Sequence, residues 1–186
     1  MSSAGKIVVG VGVIVGAAFA LVCILNIGLY GGAMDLEGGY CQGPTRERVG
    51  AMGIVAGLLG FIISLVTIAA LLLPLFSAAA AEPMASLLVK LLLLICIFIV
   101  ILFYLAAWAL MAKDIHDFNR YANCDHPPHV WSAALAFGLF GNILAILLFA
   151  VVAVALVVDR SASDANRGGS RSKSSGGDNP AQTEYS

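Results

Sequence analysis

Four stretches of this chain are apolar at nearly every position: about Ile7 to Tyr30, Ala51 to Leu75, Ser86 to Met111 and Trp131 to Val158. Crossing about 30 Å of hydrocarbon takes roughly 20 apolar residues at a rise of 1.5 Å each, and every one of these runs is long enough. Strands of a barrel would be shorter and would alternate apolar with polar side chains, whereas Leu91 to Leu102 is apolar throughout. Inside a bilayer the backbone must satisfy its own hydrogen bonds, so such runs are expected as helices. The pattern therefore predicts an all-α fold, a four-helix transmembrane bundle with short loops over 7–158. A short N-terminal segment over 1–6 precedes it and a tail over 159–186 follows.

The first run also invites reading as a cleaved signal peptide, because Lys6 precedes it and Gly31, Gly32 and Ala33 follow. Signal h-regions usually hold about 7–15 residues, so the greater length here favours an uncleaved signal-anchor. Pro74 and Pro83 bracket the Ala-rich turn between the second and third runs, where proline ends a helix at little cost, and the short turn predicts an antiparallel hairpin. After Asp159 the chain turns to Ser, Gly, Asn, Asp and Arg without apolar periodicity, which predicts a disordered tail. Four crossings put both termini on one side and the loops around Cys41 and Cys124 on the other. Lys6, Lys90, Arg160, Arg167, Arg171 and Lys173 on the terminal side outnumber Arg46, Arg48, Lys113 and Arg120 opposite, a bias that favours cytoplasmic termini.

Composition sharpens this picture. Of the 186 residues 60% are hydrophobic and only 11% charged, too few to coat a soluble domain of this size. The formal net charge of -1 leaves no basic face for phosphates, which excludes nucleic acid as a partner. Membrane lipids are the expected surroundings.

Glycine supplies the most informative internal pattern. Gly50, Gly53, Gly57 and Gly60 repeat at three and four residues and share one face of the second helix, while Gly12 and Gly16 form G-x-x-x-G in the first. Ala134, Gly138, Gly141 and Ala145 make a similar strip in the fourth. Between membrane helices close backbone approach through small residues is a main source of association, so these positions are expected at helix contacts. The third helix has no glycine but carries Phe98, Phe103, Tyr104 and Trp108, which either fill those grooves or face lipid.

Inside the hydrocarbon the polar census is short: Asn26, Ser64, Thr67 and Asn142, with Lys90 near a helix end. Asn26 and Asn142 are expected to hydrogen-bond between helices, and Lys90 to extend toward the terminal-side interface. Pumps and proton relays require intramembrane ionisable groups, and the runs hold no carboxylate, so catalysis and ion transport within one chain are not expected. No cofactor is implied. The stretch from Lys113 to His129 gathers Asp114, His116, Asp117, Cys124, Asp125, His126 and His129, all potential metal ligands, yet the spacing matches no zinc finger and no H-E-x-x-H helix.

Cys41 and Cys124 lie in the two same-side loops, and Cys23 and Cys96 inside apolar runs. If the loop side is oxidising, a Cys41–Cys124 disulfide would tie the two loops and contribute roughly 2–4 kcal/mol; on a cytosolic face both would be free thiols. In the tail Ser170, Ser172 and Ser174 stand among Arg167, Arg171 and Lys173, a pattern suited to basophilic kinases; an inert solubilising tail is the alternative.

Asn123-Cys124, followed by Trp131-Ser132-Ala133-Ala134-Leu135-Ala136-Phe137-Gly138, resembles the loop cysteine and the small-aromatic entry of the last helix in MARVEL-type tetraspan proteins, the group containing the MAL, physin, gyrin and occludin families. The likeness extends from about Lys6 to Val158. Claudins would need a W-x-x-x-W/C-C first loop and tetraspanins a C-C-G second loop, and the chain has neither. The resemblance implies a non-enzymatic scaffold that organises membrane at cell–cell junctions or in vesicle and apical trafficking, at the plasma membrane or on vesicles. Its partners would be lipids, other copies and other membrane proteins. The competing expectation is a small channel or transporter subunit whose polar path forms on oligomerisation from Asn26, Thr67 and Asn142. A lipid-modifying enzyme built around the His-rich loop stands third.

Overall fold

With no water in hydrocarbon to take a free N–H or C=O, each apolar run closes its own ladder, and the computed structural model is helical at every run. It describes residues 3–35, 46–76, 83–121 and 129–173, with side-chain surroundings defined for 5–32, 49–72, 87–116 and 129–161. The elements are α1 (Ser3–Asp35), α2 (Arg46–Phe76), α3 (Pro83–Tyr121) and α4 (His129–Lys173), and among the described residues there is no strand. Each holds a segment long and apolar enough to cross a membrane: Gly5–Gly32, Val49–Leu72, Leu87–His116 and His129–Ser161. The chain is an integral, multi-pass membrane protein.

Helix and apolar run do not end together. Helix α3 continues past Met111 to Tyr121, so Lys113, Asp114, His116 and Asp117 stand on a helix. Helix α4 passes Val158 and reaches Lys173, into the segment expected as tail. Hydropathy marks where hydrocarbon stops, whereas a nucleated helix goes on adding one hydrogen bond per residue fixed. Pro83 opens α3 at its first position, where its missing N–H has no partner to lose, and Pro74 falls in the last turn of α2.

Helix α1 packs on α2 and α4, and α3 packs on the same two, while the diagonal pairs scarcely meet. Level with Gly12 of α1 are Leu71 of α2 and Val151 of α4; level with Tyr30 are Gly53 and Gly138. The helices thus alternate up and down around a square.

Along the axis the interior divides into three apolar clusters. Val9, Leu71 and Ala155 form a small aliphatic cluster at the end that carries the chain termini. The middle holds Phe19, Cys23, Ala56, Ile97, Val100, Tyr104, Ala145, Leu148 and Val152 among others. At the loop end Tyr30, Val49, Met111, Trp131 and Ala134 pack together. The outer surface is apolar too: Ile7, Ile14, Leu21, Leu88, Leu92, Phe98, Phe140 and Val157 are each more than half exposed, as suits side chains bathed in lipid tails.

Candidate functional site: a buried polar node in glycine grooves

Two tyrosines fill the glycine grooves. A Cβ added to Gly53 would fall inside the ring of Tyr30, so this glycine is the seat of that ring. Added to Gly141, it would lie 2.5 Å from Tyr104 Cε1, and added to Gly60 it would meet Cys23 Sγ at 2.8 Å, Phe19 at 3.1 Å and Tyr104 at 3.3 Å. Gly57 brings α2 within reach of the α1 backbone, where its Cβ would lie 3.1 Å from the carbonyl oxygen of Cys23. Gly12 and Gly16 also face inward, Gly12 against the end of Leu71 and Gly16 against Ile68 Cγ1, and Gly50 and Ala134 are buried. These glycines serve contacts within one chain. By contrast Gly10 and Gly28 have open space where a Cβ would go.

The aromatic residues of α3 divide between the two expected fates. Tyr104 is buried in the groove, Trp108 Cδ1 would stand 3.9 Å from a Cβ added to Gly138, Phe103 is half-buried, and Phe98 faces outward.

Asn26, fully buried, joins three helices. Its Nδ2 donates to the carbonyl oxygen of Phe137 on α4 at 3.2 Å and to Tyr104 Oη on α3 at 3.5 Å. Tyr104 Oη in turn donates to Cys23 Sγ at 3.2 Å, back on α1. The Phe19 and Tyr104 rings lie 5.9 Å apart at 51°, which closes the node on its terminal side. Among the described residues, three buried side-chain polar atoms have no hydrogen-bond partner: Asn26 Oδ1, Tyr30 Oη and Asn142 Oδ1.

Two more polar residues lie a few turns toward the terminal end. Ser64 Oγ donates to the carbonyl oxygen of Gly16 at 2.5 Å, a link between α2 and α1 that the bare backbone of Gly16 opens to approach. Thr67 Oγ1 donates to Ile63 O of its own helix at 2.7 Å and so joins nothing across the bundle. Asn26, Thr67 and Asn142 are all buried inside a single chain, so a path between copies would not be lined by them unless the bundle opened.

Lys90 departs from expectation. Rather than reaching the interface alone, it is buried and forms an ion pair with Asp159, whose side chain is 47% exposed. An ammonium that already has a carboxylate beside it has no need to extend to water, and continued helix in α4 supplies that carboxylate. Sequence reading assigned Asp159 to the tail and missed the pair; the antiparallel register of α3 and α4 is the signal that would have found it. Tyr30 was missed likewise, although it lies one turn from Asn26 and therefore on the same face.

Cys41 and Cys124, with the proposed bridge between them, lie outside the described residues, as do Cys124, Asp125 and His126 of the His-rich stretch and Ser174 of the tail. Ser170 and Ser172 fall on the last turns of α4. Cys23 and Cys96 are free thiols within the bundle. Among the described residues no three His, Cys, Asp or Glu side chains gather as a metal site would require. Compared with family models, curated proteins and solved structures, the chain finds no significant match.

Proposed function

We propose that the protein is a non-enzymatic four-span scaffold that organises membrane at cell–cell junctions or in vesicle and apical trafficking. The observation that carries this reading is how the side chains are apportioned. The glycines of the α2 and α4 strips and the polar residues at membrane depth are used inside the bundle, on Tyr30, Tyr104 and Asn26, while the outside presents mainly long aliphatic and aromatic side chains on all four helices. Such a body meets lipid tails and apolar faces of other membrane proteins through its surface. The four-span topology, together with the Trp131 to Gly138 entry into α4 that resembles MARVEL-type proteins, supports the same role.

Imaging the tagged chain in its native cells tests this. Enrichment at junctions or on vesicles, with junctional or cargo proteins dispersed when the chain is depleted, is the expected result. A reticular pattern unchanged by depletion, or ion conductance from the purified chain in liposomes, would overturn it.

A further inference from the structure

We infer that the bundle holds an internal water between Asn26 Oδ1 and Tyr30 Oη, a closed hydration site in the interior of the loop-end half. The orientation of the Asn26 amide is decided by its neighbours. Turned the other way, Oδ1 would face the carbonyl oxygen of Phe137, acceptor against acceptor, so Nδ2 must occupy that side at 3.2 Å and Oδ1 must point away. Tyr104 Oη cannot serve Oδ1, because its one proton goes to Cys23 Sγ. Oδ1 is therefore a buried acceptor in search of a donor.

Tyr30 Oη is a buried donor in search of an acceptor. It lies one helical turn from Asn26 on the same face of α1, where side chains are neighbours. Both groups converge on one short piece of α4. A Cβ on Gly138 would stand 3.1 Å from Tyr30 Oη, and one on Gly141 would stand 3.1 Å from Asn26 Nδ2. Glycine at 138 leaves the wall beside Tyr30 Oη without a side chain, while the Tyr104 ring covers Gly141. A water that accepts from Tyr30 Oη and donates to Asn26 Oδ1 satisfies both orphans with its ordinary valence, and polar partners of this kind are what keep a buried water in place. In hydrocarbon the unsatisfied alternative carries the full desolvation penalty of both groups.

The site is closed along the axis. Toward the termini stand Phe19, Ile97, Val100 and Leu148, all fully buried, and toward the loops stand Val49, Met111, Trp131 and Ala134. It is thus a fixed bridge rather than a step on a permeation path, and it is independent of the scaffolding role.

A crystal structure from a lipidic mesophase, at a resolution that shows ordered water, decides the matter. The expected result is a density peak within about 2.6–3.2 Å of both Asn26 Oδ1 and Tyr30 Oη, lost or at least halved in occupancy in Tyr30→Phe. No peak in the wild-type map would overturn the inference. So would a direct Tyr30–Asn26 hydrogen bond, or a peak that persists unchanged in Tyr30→Phe.

Discussion

The two halves of the bundle are built from the same kind of helix but to different tolerances. In the loop-end half, Gly53 and Gly141 receive the rings of Tyr30 and Tyr104, and Asn26 and Tyr104 tie α1, α3 and α4 together by hydrogen bonds. In the terminal half, Gly12 meets the end of Leu71, the cluster of Val9, Leu71 and Ala155 is wholly aliphatic, and Lys90 pairs with Asp159. A ring cannot bend away from an added methyl group, whereas an aliphatic end can change rotamer. The same residue type, glycine, is therefore required at Gly53 and Gly141 for steric fit and accepted at Gly12 for convenience.

Substitutions can break this contrast, and the largest effect is expected at Gly53. Gly53→Ala puts a methyl group into the Tyr30 ring, and should lower the unfolding free energy by about 3 kcal/mol, the upper range for overpacking. Denaturing-detergent titration in mixed micelles reads it. Adding Tyr30→Leu should recover part of the loss, since residues in contact do not act additively. Gly141→Ala should follow at about 2 kcal/mol by the same measurement, because Tyr104 is packed against it but has a partner, Cys23 Sγ, to hold while shifting.

Asn26→Leu should cost about 1 kcal/mol, the scale of interhelical hydrogen bonds in bilayers, and Asp159→Ala about as much through the unpaired Lys90. In a double-mutant cycle, Lys90→Met with Asp159→Ala should cost less than the sum of the two single changes; strict additivity would show that the pair contributes nothing. The smallest effect belongs to Gly12→Ala, where the Cβ meets the side chains of Leu71 and Val151 but alanine gains about 0.5–1 kcal/mol in a helix interior, so a net cost of about 0.5 kcal/mol or less is expected. Were Gly12→Ala to cost as much as Gly53→Ala, the difference between the halves would vanish.

Much of the architecture was legible beforehand. The four apolar runs announced the helices, and the glycine spacing at Gly53, Gly57 and Gly60 identified the packed face of α2, because both follow from local periodicity. Partners were not legible. Tyr104 could be read as groove filler or as lipid-facing, and Tyr30 was not singled out, since which knob enters which groove depends on the register of antiparallel helices. Lys90 was read from its own position alone, and its carboxylate belonged to a residue far along the chain. Helices α3 and α4 run on past their apolar runs for a simpler reason: polarity records the edge of the membrane and not the edge of the helix.

Solvent choice, then, was a property of the chain by itself, for transfer to hydrocarbon depends on side-chain identity and adds up locally along each run. So was the list of residues able to pack closely. The tertiary structure alone decided that Gly53 faces Tyr30, that Asn26 reaches Phe137 and Tyr104, and that Tyr30 Oη and Asn26 Oδ1 remain buried without protein partners. Close contacts and hydrogen bonds act over a few ångströms between positions distant in sequence, so only the mutual placement of the helices determines them.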